Sequence, residues 1–235
     1  MDFKLTQKNG WTYFFIPEIK KKGLQHGFFT RSSPDLTHPD GDREEFLKAF
    51  LLKDFIILSQ EHGDTIHVIK NHERPKIGDG LIITKKHIGC IIKTADCLSI
   101  MLYDVSNNIA AIIHAGWRGT VKKITEKTIR IMKDFGSKPD KIEAILGPSI
   151  NNCCYTVGEE LYKIFIEKGF SKNIFKRRDN GLFLDLREAN TEILKKEGVS
   201  QVYNINICTF CTDRLFYSYR RGDRNKRQIN FVSLS

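Results

Sequence analysis

The sequence predicts an α+β protein of layered mixed β-sheets with flanking helices, and three observations carry that expectation. Apolar, β-branched runs crowd the stretch from Leu81 to Ile113. A strand, turn, helix unit follows it, and strand and helix patterns then alternate toward the C-terminus. Strands joined partly by hairpins and partly through helices favour mixed sheets over a doubly wound parallel sheet. A chain of 235 residues, 40% hydrophobic, buries a full core in one unit, and no repeat or Gly/Ser linker interrupts it. A single catalytic domain over residues 1–235 is therefore expected.

Taken in order, Trp11 to Ile16 and Gly27 to Thr30 read as strands, because aromatic and β-branched residues are bounded there by Gly, Pro and Ser. Ser32 to Asp42 reads as a loop, Glu44 to Leu52 as a short helix, and Phe55 to Leu58 and Thr65 to Ile69 as strands around the turn-like Glu61-His62-Gly63-Asp64. Leu81 to Thr84, Gly89 to Ile92, Leu98 to Tyr103 and Ile109 to Ile113 are further strands. The turn chemistry of Asp104 to Asn108 joins the last two as a hairpin. Val121, Ile124, Thr128, Ile131 and Phe135 recur at helical spacing until Gly136 stops the run. Strands at Lys141 to Leu146, Leu182 to Leu186 and Val202 to Ile207, with helices at Val157 to Lys168 and Arg187 to Lys196, complete the reading.

Composition narrows the function classes. The N-terminus has no continuous apolar h-region, and no apolar run reaches the roughly 18 residues of a membrane span. A soluble, cytoplasmic chain with no membrane partner is expected, as a monomer or weak homodimer. Six cysteines in such a chain favour thiol and metal chemistry over disulfides. A net charge of +10 favours an anionic ligand without naming it.

The densest chemistry lies in Thr94-Ala95-Asp96-Cys97 and His114-Ala115-Gly116-Trp117-Arg118-Gly119. If the turn pairs Asp104 with Asn108, antiparallel register pairs Leu98 with His114. Cys97 and His114 then meet at the open end of one hairpin, roughly 4.5–8 Å apart, close enough to share a metal or a proton. Gly116 and Gly119 flank a turn into a helix whose free N–H groups suit an anion, and Arg118 adds a bidentate donor. Asp96, beside the thiol, either moves a proton or caps a turn. His62, in its turn, is either a polar turn residue or a third site residue. Cys208-Thr209-Phe210-Cys211 has the CxxC spacing of a zinc half-site or a redox pair, but no second CxxC completes a structural site, so strand-end packing is expected, with room for one thiol near the pocket. The basic cluster from Arg214 to Arg227, interleaved with Phe216, Tyr217 and Tyr219, reads as a solvated strand face, a nucleic-acid surface or a source of phosphate-binding arginines. Nucleic acid is the least favoured partner.

Several stretches together resemble one family, the bacterial laccase-domain proteins, also described as purine nucleoside phosphorylases or peptidoglycan editing proteins. They are His26-Gly27-Phe28-Phe29-Thr30-Arg31, Gln60-Glu61-His62-Gly63-Asp64, Thr94 to Cys97, His114 to Gly119, Gly147-Pro148-Ser149-Ile150 with Cys154-Tyr155, and Phe216 to Arg221. The chain departs from the family pattern at Ser32-Ser33, Thr156 and Asn225-Lys226-Arg227. The resemblance implies that His62, Cys97 and His114 ligate a catalytic zinc, with Cu2+ as the alternative ion; Arg31, in the first of these stretches, is a substrate-binding candidate beside Arg118 and Gly116. It implies phosphorolysis of adenosine, inosine or methylthioadenosine, with adenosine deamination as a companion. A nucleoside and phosphate are then the small-molecule partners.

Three protein ligands leave a fourth position open, the catalytic arrangement for zinc. A copper-dependent polyphenol oxidase fits less well: seven scattered histidines include no His-x-His pair. Met101, about 13 Å along the strand from Cys97 at about 3.3 Å per residue, is badly placed as an axial blue-copper ligand. A hydrolase editing peptidoglycan precursors with the same metal is the other enzyme reading.

Overall fold

A computed structural model describes residues 3–34, 36, 42–70 and 74–235. His38, most of the Ser32 to Asp42 loop and His72 lie outside them. In chain order the first half contains β1 (Lys4–Lys8), β2 (Trp11–Phe15), α1 (Pro17–Lys21), β3 (Leu24–Phe29), α2 (Arg43–Phe50), β4 (Asp54–Ile57), β5 (Ile66–Ile69), β6 (Gly80–Ile83) and β7 (Ile88–Thr94). The hairpin β8 (Leu98–Asp104) and β9 (Ile109–Ala115) leads into α3 (Trp117–Val121) and α4 (Ile124–Asp134). Then come β10 (Ile142–Leu146), β11 (Thr156–Val157), α5 (Glu159–Glu167), β12 (Phe175–Arg178), β13 (Gly181–Leu184), α6 (Leu186–Lys196), β14 (Gln201–Asn204) and β15 (Gln228–Leu234).

Two six-stranded sheets form the centre, ordered β1-β2-β3-β15-β7-β4 and β14-β10-β8-β9-β6-β5, and a small third sheet is ordered β11-β13-β12. Pairings are mixed: β4 with β7, β5 with β6 and β10 with β14 run parallel and the others antiparallel. Phe28, Ile92 and Val232 of the first sheet share a core with Met101, Ile112 and Ile145 of the second, so the two sheets pack face to face. The outer face of the first sheet, with Trp11, Phe29 and Phe231, is covered by Phe46 and Phe50 of α2. The outer face of the second, with Ile100, Ala111 and Ile113, is covered by Ile124, Ile129 and Met132 of α4 and Leu194 of α6. The result is the expected α+β layering, in the order helix, sheet, sheet, helices. Covering both faces explains why β8 and β9 are apolar without alternation and why all their residues are buried.

Local chemistry sets the element ends. The Asp185 side chain accepts the Glu188 N–H at 2.9 Å and starts α6. Leu51, at φ 54°, ends α2 in the left-handed conformation. Lys123, at φ 61°, breaks the helix expected from Val121 to Phe135 into the short α3 and the longer α4. The expected strand with a basic face near Arg220 is absent, and that segment runs in turns. The strand lies further on: β15 sits at the middle of the first sheet between β3 and β7.

Candidate metal centre and substrate cleft

The β8–β9 hairpin positions two of the three expected ligands, through a register one residue away from the expected one. The Asp104 carboxylate accepts the N–H groups of Ser106 and Asn107 and the Asn107 side-chain amide, and the turn closes on Asp104 opposite Ile109. Ser99, not Leu98, therefore lies opposite His114. A one-residue shift exchanges the faces of a strand. In the observed register Ser99 and His114 share a face, and Cys97, two residues before Ser99, falls on the same side.

His62 comes from the turn between β4 and β5, where it adopts φ 59°. What holds that turn is Asp79, the buried residue ahead of β6. Its Oδ1 accepts the His62 N–H at 3.0 Å, and its Oδ2 accepts the Gly63 N–H at 2.7 Å and the Glu61 N–H at 3.3 Å. The same Oδ1 lies 2.8 Å from His114 Nδ1, so with Nδ1 protonated the ring donates there and presents Nε2 on its other side. Asp64, next in the turn, is ion-paired to Lys127 of α4. One ligand atom from each of His62, Cys97 and His114 lies within 4.8 Å of the other two. The two imidazole rings stand 4.9 Å apart at 75°.

Space for an ion comes from glycine. A Cβ on Gly116 would stand 3.0 Å from Cys97 Sγ, 3.5 Å from the His62 ring and 3.7 Å from the His114 ring. A Cβ on Gly119 would meet the Gly63 carbonyl oxygen at 3.0 Å. The glycine pair thus serves close approach of the His62 turn. Two imidazoles and a thiolate around such a gap are a donor set suited to zinc.

Electrostatics favour a Cys97 thiolate beside a protonated His114, which gives up its Nε2 proton when it ligates an ion. Burial alone would push the Cys97 thiol up, but the neighbouring His114, and after it His62, outweigh burial and bring it down to about 6. Burial would likewise lower His114, yet the Cys97 thiolate and the Asp79 hydrogen bond raise it to about 9. Asp79 is kept below the usual carboxylate range: burial opposes its ionisation, and the His114 ring and the turn N–H groups more than offset that.

The three residues open into a cleft of about 750 Å³, whose lining includes the cations Lys93, Arg118, Arg220, Arg224 and Arg227 and the rings of Trp117, Tyr155 and Tyr219. The Arg118 guanidinium lies over the Trp117 ring, 4.4 Å from its centroid. Arg220 donates to the Thr156 hydroxyl and carbonyl. Tyr155 is held in its phenol form by burial and by the charge of Cys97.

Two expected site residues have their polar groups engaged within the chain. Arg31 is not part of the cleft lining; it donates to the Asp213 carbonyl at 2.7 Å and lies over the Tyr217 ring. Asp96, at φ 84°, borders the cleft, but its carboxylate accepts the hydroxyls of Thr209 and Ser218 and the Arg220 N–H, at 2.7, 2.9 and 2.8 Å. The sequence reading missed Asp79, whose signal was an acidic residue between two glycines before an apolar strand. Cys208 and Cys211, expected to pack at a strand end, do not stand alone. Cys153 and Cys154 join them, one sulfur from each lying within 4.8 Å of all the others.

Comparison with known proteins agrees with these motifs. The family described as multi-copper polyphenol oxidoreductase laccase matches residues 35–235. A purine nucleoside phosphorylase of Clostridium acetobutylicum is 35% identical over 186 residues, 78% of each chain. An adenosine deaminase from an unknown prokaryotic organism is 35% identical over 148 residues, 61% of this chain and 56% of that one. The crystal structure of the Bacillus licheniformis hypothetical protein YfiH superposes with a TM-score of 0.86 over 99% of both chains at 26% identity. The chain belongs to this laccase-like family, whose relatives include proteins named purine nucleoside phosphorylase.

Proposed function

We propose that the cleft binds a purine nucleoside and inorganic phosphate, that His62, Cys97 and His114 hold a zinc ion there, and that the chain acts as one catalytic domain. It phosphorolyses adenosine, inosine and methylthioadenosine and deaminates adenosine. The observation that carries this reading is a three-donor set, the number typical of catalytic zinc, opening into a cleft that pairs aromatic rings with guanidinium groups. Relatives named purine nucleoside phosphorylase and adenosine deaminase support it.

When bound, the ion supplies Lewis acidity at the reacting centre. The chain's own residues do the rest. Trp117, Tyr155 and Tyr219 offer faces and edges for a purine, and the Tyr155 phenol keeps a proton to donate. Arg118, with the neighbouring Arg220, Arg224 and Lys93, offers charge-assisted donors for the phosphate dianion. We assign Asp96 to positioning in place of proton transfer, since its oxygens are engaged by Thr209, Ser218 and Arg220. The five-residue α3 sums few peptide dipoles, so Arg118 and not the Gly116 end of that helix is assigned the anion. A multicopper mechanism has less support: among the described residues the donor groups that could hold an ion are this set and a cluster of thiols.

Arg118→Ala tests the assignment. Phosphate-dependent cleavage of adenosine should fall by about 100-fold or more, the scale of losing one oriented charged donor, while deamination falls far less. Equal losses of both activities would remove Arg118 from phosphate binding.

A further inference from the structure

The structure assigns a second metal site to Cys153, Cys154, Cys208 and Cys211, which hold one zinc ion in an all-thiolate tetrahedron. The sulfur of Cys154 lies 3.2 Å from that of Cys211 and 3.5 Å from that of Cys153, and the Cys153 and Cys211 sulfurs are 3.7 Å apart. Four sulfurs around an ion at about 2.3 Å define a tetrahedron with edges of about 3.8 Å. The thiols therefore already stand near ligating separations.

Backbone contacts shape the cluster. A bridge between Ser149 and Cys208 ties the two segments together, with the Thr209 N–H on the Ser149 carbonyl at 3.1 Å. Each segment then turns. The Cys154 and Tyr155 N–H groups meet the Asn151 carbonyl at 2.9 Å, and the Thr212 N–H meets that of Cys208 at 3.1 Å. Cys208 Sγ accepts the Asn151 N–H at 3.5 Å, a charge-stabilising contact for a thiolate. A disulfide would join one pair at about 2.05 Å and give the other two sulfurs no cause to converge. All six cysteines of the chain are free.

Thiolates select soft, tetrahedral ions, and four of them leave no open position, so this ion is structural. Each ligating thiol releases its proton to solvent, and nothing is oxidised or reduced. What the ion fixes is the cleft wall. Tyr155 follows Cys154 and lines the cleft, and Thr209 follows Cys208 and holds the carboxylate of Asp96, the neighbour of Cys97. This inference is independent of the nucleoside reading.

Metal content tests it directly. Wild-type protein purified from zinc-supplemented cells should carry one more zinc equivalent than the His62, Cys97 and His114 set can hold, and a Cys97→Ala, His114→Ala variant should keep that equivalent. The site is overturned by a folded variant of that kind without zinc, or by iron in zinc's place. Should the variant not fold, the wild-type chain decides. Native alkylation followed by mass spectrometry should find Cys153, Cys154, Cys208 and Cys211 shielded until a chelator is added. Labelling that ignores the chelator, or an unreduced mass short by two hydrogens, would contradict the site.

Discussion

Asp79 reaches two ligands at once: its carboxylate takes the Nδ1 side of His114 and the backbone N–H groups that shape the His62 turn. Asp79→Asn keeps the size but removes the charge, and it aims an amide N–H at donors that need an acceptor. Apparent zinc affinity at the His62, Cys97 and His114 set should fall about 10- to 100-fold, read by chelator competition with circular dichroism confirming the fold. Unchanged affinity would show that the turn holds itself. Flanking glycines mark Asp79 in the sequence, but its role was not legible there because its partner His114 lies on another strand, far along the chain. Cys97 and His114 were legible, since one hairpin joins them, and His62 became so only through the family motif. The thiol cluster escaped because Cys153-Cys154 lacks the spacing of a CxxC half-site and meets Cys208 and Cys211 only through the Ser149 bridge.

Among the elements, β3 carries a titratable group whose burial links pH to stability. His26 is 4% exposed; its Nε2 accepts the Ile16 N–H at 2.9 Å and its Nδ1 donates to the Leu24 carbonyl at 3.1 Å. Burial is the largest cause of its depression from 6.5 to about 4, and nearby Lys20 adds to it while the Leu24 contact opposes. A folded value below the unfolded one means that the unfolded chain binds the extra proton. Stability from this group is then whole above pH 6.5 and lost as pH falls from there to about 4, a change of about 3 kcal/mol. Urea unfolding of metal-free protein should show that loss, and the stability of wild type relative to His26→Gln should fall as pH falls across the same window. A pH-independent difference would mean that folding leaves the pKa of His26 where the unfolded chain has it.

Element types were mostly readable, and register and sheet order were not. The hairpin turn was read from Asp104 to Asn108, but the Asp104 carboxylate draws in Ser106 and Asn107, and Asn108, at φ 51°, passes the pairing on to Ile109. β15 was overlooked because Asn230 and Ser233 break its apolar run. In the sheet Asn230 is buried and donates to Thr94 Oγ1 at 3.0 Å, a partner no local pattern supplies.

At the scale of the whole molecule, two sheets covered by helices on both outer faces carry a rim where turns converge: the β4–β5 turn with His62, the β8–β9 hairpin ends with Cys97 and His114, and the C-terminal turns with Arg220, Arg224 and Arg227. Arg221 anchors those C-terminal turns from within, donating to the carbonyls of Thr209, Phe210 and Phe216 and to Asp223. The basic residues of these C-terminal turns are thus divided between binding the chain to itself and facing the cleft. No described helix is long and apolar enough to cross a membrane. In the proposed function this rim transfers the sugar of a nucleoside to phosphate. The most direct measurement is adenine release from adenosine by the zinc-loaded protein, followed with and without phosphate. Free adenine and ribose 1-phosphate should form only when phosphate is present, with inosine formed in either case and both reactions lost on zinc removal. Adenine release indifferent to phosphate, or no change in adenosine at all, would contradict it.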